Sequence, residues 1–187
     1  GHDALQGGAT IGSVCARSGC GMVGPMKITE TAPPPHSLIA PFADRDAHYT
    51  DCFEVACDGA VTLSEFITAF YTQPLFRAER LVLRFAAGAR STDADVAALA
   101  QGRAAHFAVW RVSARRIDEV LLEQEGGRTC SWLQAGGGKL RFGSVVVPVR
   151  GRGGTLTLGP VFHSLLGAHK YYSRALLAGA ARKLTSL

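Results

Sequence analysis

The order of elements in the second half of this chain most constrains its fold. From about Ala105 to Val149 the sequence reads as four consecutive strands, and from Val161 to about Leu184 as one long amphipathic helix. Along Ala105–Ser113, the residues Phe107, Val109 and Arg111 alternate with His106, Ala108, Trp110 and Val112, which is the period of a strand. Ile117–Glu123, Arg128–Gln134 and Leu140–Val149 alternate in the same way. Arg115-Arg116, Gly126-Gly127 and the run Gly136–Gly138 separate them as short turns. Connections this short join antiparallel neighbours, because a parallel pair needs a crossover of roughly a dozen residues or more. The helix carries Phe162, Leu165, Leu166, His169, Tyr172, Leu176, Leu177, Ala180 and Leu184 at spacings of three and four, with Lys170, Arg174, Arg182 and Lys183 mainly on the other side. A meander and an amphipathic helix bury their apolar faces against each other, and that packing commonly leaves a cavity between the layers.

The first half supplies one more strand and several helices. In His48–Cys57, Tyr49, Asp51, Phe53 and Val55 share one face, and Thr50, Cys52, Glu54 and Ala56 the other. Asp58-Gly59 makes a turn. Thr62 and Glu65 form a capping box that opens a helix running to about Thr72. Pro74 suits the first turn of a helix over 74–87, where its missing N–H costs nothing. Thr92 and Asp95 repeat the capping pattern for a short helix over 92–100. Gly143, inside the last strand, marks a bend or bulge. Residues 1–36 end in Pro33-Pro34-Pro35 and read as an arm or leader, with a first strand around Met26–Thr31. Residues 37–187 read as a single α+β domain.

Composition excludes several classes. Apolar residues make up 47% and charged residues 19%, the balance of an ordinary globular protein. No apolar run is long enough for a membrane span; the richest, Leu81–Ala89, is interrupted by Arg84. The start, Gly1–Gly8, has neither a basic region nor an apolar core, so the expected location is cytoplasmic. Basic residues outnumber acidic ones 20 to 15, but they are scattered rather than gathered on one face, which argues against nucleic-acid binding. Cys15 with Cys20, and Cys52 with Cys57, are spaced too widely for zinc knuckles. Cys52 and Cys57 also point to opposite sides of a strand. No metal or cofactor is expected. Buried free thiols are, with a Cys15–Cys20 disulfide as the alternative for that pair.

The strings HYTDCFEV, PLFRAERLVLRF, FAVWRV, GRTCSWL, KLRFGSVVV and FHSLLGAHKYYSRALL together resemble a bacterial family of unknown function. That family is similar to the START-like, helix-grip superfamily, which includes polyketide cyclases and lipid or hormone binders. The resemblance spans roughly residues 37–185. It implies a curved antiparallel sheet of six or seven strands packed on the C-terminal helix, with a ligand cavity between them. It carries no catalytic motif.

Candidate site residues come from the faces of these elements. His169 and Tyr172 are three apart and share the apolar helix face with Leu165 and Leu176. They can contact a ligand, His169 can act as a general base, or both can be satisfied by the protein itself. Asp118 or Glu119 can pair with Arg128 across the Gly126-Gly127 hairpin and bind an acidic ligand, or form a structural ion pair. Trp110 and Trp132 can line a pocket or pack the core. Ser131 and Ser144 lack a nucleophile-elbow context, which argues against a serine hydrolase.

Three functions follow. The first is a binder of a small apolar or amphipathic ligand, held by Trp110, Arg128, Trp132, Phe142, His169 and Tyr172. The second is a cyclase, dehydratase or isomerase in which His169 moves protons with Asp118 or Glu119. The third is an interaction protein that dimerises through a sheet edge or the N-terminal arm. A carboxylate converging on His169 would favour the enzyme; a cavity poor in titratable groups would favour the binder.

Overall fold

Seven strands form one antiparallel sheet in a computed structural model that describes residues 26–78, 91–151 and 154–186. The elements in chain order are β1 (Thr29–Glu30), α1 (Ala40–Ala43), β2 (Tyr49–Ala56), α2 (Leu63–Thr72), α3 (Asp93–Ala100), β3 (His106–Phe107), β4 (Trp110–Arg115), β5 (Glu119–Gln124), β6 (Thr129–Gly136), β7 (Lys139–Val146), β8 (Val149–Arg150), β9 (Leu156–Thr157) and α4 (Pro160–Thr185). The strand order in the sheet is β1-β2-β7-β6-β5-β4-β3, and β8 and β9 make a separate ribbon. The meander β4 to β7 leaves β7 with an open edge, and β2 closes it in register from Tyr49↔Val146 to Ala56↔Lys139. The class is α+β, compatible with a helix-grip arrangement.

Alternation along each strand divides the side chains between two faces. The inner face, with Phe53, Val55, Val120, Leu122, Leu133, Leu140 and Phe142, packs against Phe66, Ile67 and Phe70 of α2 and Leu176, Leu177 and Ala180 of α4. Burying each such large side chain stabilises the fold by roughly 1.5–3 kcal/mol. The outer face carries a smaller cluster of Cys52, Leu121, Cys130, Trp132 and Val145, covered by Ile39 with Leu38 and Phe42 beside it. Both expected capping boxes form: Thr62 accepts from the Glu65 N–H, and Thr92 from the Asp95 N–H. Each carboxylate reaches back to the cap's own N–H, so orphan donors at both helix starts are satisfied.

Some expectations change. Ala105–Ser113 is not one strand but the hairpin β3–β4, with Phe107 opposite Trp110 and a turn through Ala108 at φ 52. A two-residue turn without glycine or asparagine leaves no mark on hydrophobic alternation, and the left-handed alanine costs about 1–2 kcal/mol. The irregular pairing lies in β4, between Val112 and Ala114, and not at Gly143, which keeps regular register with Cys52 and Trp132. The missing side chain of Gly143 serves close approach instead. A Cβ there would sit 2.7 Å from the Asp51 carbonyl oxygen and 3.2 Å from the Trp132 ring. The helix expected over 74–87 is present through residue 78; its remainder lies outside the described residues, as do Cys15 and Cys20.

Candidate functional site

The cavity between the sheet and α4 follows from the side-chain sizes in successive cross-strand rows. On the inner face, Phe53, Phe142 and Leu133 stand side by side, a row of large residues. The next row is Asp51, Ser144 and Ser131, all small, and beyond it come Tyr49, Val146 and Thr129. Small side chains between larger ones leave a trough. α4 roofs it with His169, Tyr172, Ser173 and Leu176, and Phe70, Tyr71 and Phe76 close one end. The cavity measures about 190 Å³, and Trp110 and Phe142 add aromatic surface to its wall.

A polar constellation borders this cavity through Ser144 and His169. Asp51 is buried, with 1% of its side chain exposed. Its Oδ1 accepts the Ser144 N–H at 2.9 Å and the Ser144 O–H at 2.7 Å. Its Oδ2 accepts the Tyr49 O–H at 3.0 Å and lies 3.2 Å from His169 Nε2. The same Nε2 is 2.8 Å from Ser144 Oγ. Burial alone would raise the Asp51 pKa. The hydrogen bonds from His169, Ser144 and Tyr49, with the attraction to His169, outweigh burial and hold the carboxyl below its ordinary value. Burial and the adjacent carboxylate push the Tyr49 phenol far above its ordinary value, so Tyr49 is a neutral donor.

The geometry assigns the protons. Ser144 gives its single O–H hydrogen to Asp51, and an ionised carboxylate only accepts. His169 Nε2, facing both the carboxylate and the Ser144 oxygen, must therefore carry hydrogen. In a neutral ring, Nδ1 is then the nitrogen with the lone pair. A nucleophilic triad needs the histidine between serine and carboxylate, one ring nitrogen to each. Here both face the same nitrogen and the serine proton goes to Asp51, so Ser144 is not activated.

Trp110, Phe142, His169 and Tyr172 line the cavity. Trp132 does not. It is fully buried on the outer face, where its Nε1–H donates to Glu119 Oε2 at 2.7 Å. Glu119 also accepts the Leu38 N–H and an Arg116 N–H, both at 2.8 Å, which fastens the segment around α1 to the sheet. The carboxylate partner of His169 is thus Asp51, not Glu119 or Asp118. Asp118, in the β4–β5 turn, accepts from Gln134 at 3.1 Å. Arg128 is exposed beside the β5–β6 turn, and the ion pair of Glu119 is made with Arg116. Asp51 left one signal in the sequence: it is a lone acid on the strand face shared with Phe53 and Val55.

Cys52, Cys57 and Cys130 are free thiols. Among the described residues, no three His, Cys, Asp or Glu side chains come together to hold a metal, and no helix is long and apolar enough to cross a membrane. Compared with models of known protein families, with curated proteins and with solved structures, the chain matches none.

Proposed function

We propose that this protein binds a small, largely apolar ligand in the cavity between the sheet and α4, with His169 at its polar end. The observation that carries this reading is a void of about 190 Å³ lined by five Phe, Tyr and Trp side chains besides Tyr71, with Ser144 and His169 among its polar groups. An apolar cavity of about 150 Å³ is enough to admit benzene, so the size suits a ligand of one ring or a short chain. The free thiols Cys52, Cys57 and Cys130 suit a reducing, cytoplasmic setting. The test is native mass spectrometry of the purified protein with denaturing extraction, followed by an NMR screen of monocyclic compounds. Release of a ring-sized compound, or shifts confined to cavity residues, supports the reading. A full screen without cavity shifts refutes it. His169→Ala should weaken binding by the folded fraction about tenfold or more, and because it takes a hydrogen bond from the buried Asp51 carboxylate it should also cost about 1.5–3 kcal/mol, roughly 3–12 °C in Tm. Binding that survives the substitution while the fold collapses would make His169 structural.

A second reading, proton transfer on the bound ligand, is favoured by one contact: the 3.2 Å approach of His169 Nε2 to Asp51. A buried carboxylate that holds a histidine in one tautomer prepares its other nitrogen to accept a proton. In an isomerase-type reaction His169 takes a proton from a carbon beside a carbonyl and returns it at a second carbon. Solvent deuterium exchange into cyclic ketones, lost in His169→Gln, tests this. Exchange that is equal in both proteins would refute it.

A further inference from the structure

The chemistry of the cavity's polar end also restricts which ring compounds fit, given the ligand-binding reading above. Three features act together. First, the wall is flat and aromatic, with Phe70, Phe76, Trp110, Phe142 and Tyr172 among its residues. Second, the residues lining it include no lysine and no arginine, so no fixed cation is available to an anionic ligand. The nearby cations of α4 are committed elsewhere: Lys170 Nζ is 2.6 Å from Glu30 Oε1, and an Arg174 nitrogen is 3.1 Å from Glu30 Oε2. Third, a buried carboxylate, Asp51, stands directly behind His169. Both of its oxygens are taken by Ser144, Tyr49 and His169, so it contributes its charge rather than a free acceptor. The polar groups left for a ligand include the Ser173 hydroxyl, buried without a hydrogen-bond partner, and the unshared nitrogen of the His169 ring, whose Nε2–H is already engaged; in the neutral ring that nitrogen only accepts.

We infer that the cavity selects compact, neutral ring compounds bearing a hydroxyl that donates to His169 Nδ1, and rejects the corresponding carboxylates. A phenol or alcohol matches the acceptor. A hydrocarbon of the same shape fills the cavity but leaves the nitrogen without a partner, which loses affinity. A carboxylate brings a second negative charge close to Asp51 in a poorly solvated space, with no cation to offset it.

Three probes of nearly equal size separate the possibilities: p-cresol, toluene and 4-methylbenzoate. Affinities are measured by titration calorimetry on the full chain at about pH 8, where the phenol keeps its proton and the carboxylate has lost it. The expected result is p-cresol tighter than toluene by about tenfold, and 4-methylbenzoate weaker than p-cresol by about tenfold or more. In His169→Phe, which keeps a flat ring in place, p-cresol should fall to the affinity of toluene. Equal wild-type affinity for p-cresol and toluene overturns the inference while leaving the binding reading intact. So does 4-methylbenzoate binding best, or a p-cresol preference that persists in His169→Phe. If no probe binds, the binding reading itself fails at this ligand size, and the inference falls with it. The wild-type comparison decides the matter even where the variant does not fold.

Discussion

Asp51→Asn is the substitution that tests the site most directly. The exchange keeps shape and volume but replaces one acceptor oxygen with an NH2 group. Two hydrogen bonds to Oδ1, from the N–H and O–H of Ser144, can persist. At the other position the amide NH2 would face the Tyr49 hydroxyl and His169 Nε2, both of which now donate. The tyrosine can rotate its O–H away. The histidine can relieve the clash only by moving its proton to Nδ1. Hydrogen bonds to a charged group contribute about 1.5–3 kcal/mol each, and one or two are lost. Relief from burying the Asp51 charge offsets part of this. The expected destabilisation is about 2–4 kcal/mol, roughly 4–16 °C in Tm for a chain of this size. Urea unfolding measures the stability, and imidazole ¹⁵N shifts report the tautomer. The loss should also depend on pH. Because the folded state lowers the Asp51 pKa, its stabilisation is present above the unfolded carboxylate value, about 3.9, and is lost as pH falls through the folded value. Wild type and variant should therefore converge in acid. A variant within about 0.5 kcal/mol of wild type at neutral pH, with the His169 proton still on Nε2, would refute the proton assignment and the role given to Asp51.

Other substitutions probe the frame around the site. Glu119→Ala should cost about 2–5 kcal/mol, because it strands the buried N–H of Trp132 and the half-buried N–H of Leu38, and hydrogen exchange should rise around residues 37–43. Ligand binding in the folded fraction should be unchanged, since Glu119 serves the opposite face; a selective loss of binding would contradict that placement. Gly143→Ala should destabilise by about 1–3 kcal/mol or more, because the new methyl meets the Asp51 backbone oxygen and Ile39 at 2.7 Å, and backbone within a sheet yields little. Wild-type stability in Gly143→Ala would show that β2 and β7 can separate. Gly179→Ala should place its methyl on the Gln73 side-chain oxygen and break the amide's bond to the Leu176 carbonyl, 2.8 Å in the native fold. Shortening Gln73 to Ala in the same protein should restore part of the loss, and a double-mutant cycle measures that coupling.

Local structure was legible wherever a short-range rule governs it. The capping boxes at Thr62 and Thr92, the glycine turns at 126–127 and 137–138, and the stripe on α4 each depend on residues within a few positions of one another. The capping boxes and the glycine turns appear as the sequence predicts, with Gly136 still in β6; of the α4 stripe, Leu176, Leu177 and Ala180 are buried, but Leu165 is 57% exposed instead of facing the sheet. The β3–β4 turn was not legible, because Ala108 reaches its left-handed conformation without a residue type that announces it.

The site divides in the same way. By itself the sequence determined that His169 and Tyr172 share one helix face and that Tyr49, Asp51, Phe53 and Val55 share one strand face. Those statements need only the periods of helix and strand. The tertiary structure decided which strand faces look inward and which strands are neighbours. Alternation is symmetric between two faces, so it cannot say that Trp132 turns outward to Glu119 while Trp110 turns toward the cavity. Pairing β2 with β7 sets Asp51 beside Ser144, and the packing of α4 sets His169 above both. Those contacts join distant parts of the chain through register and burial, which no local pattern encodes. The carboxylate of the site is therefore Asp51, on the early strand, and not an acid of the hairpin nearer in sequence.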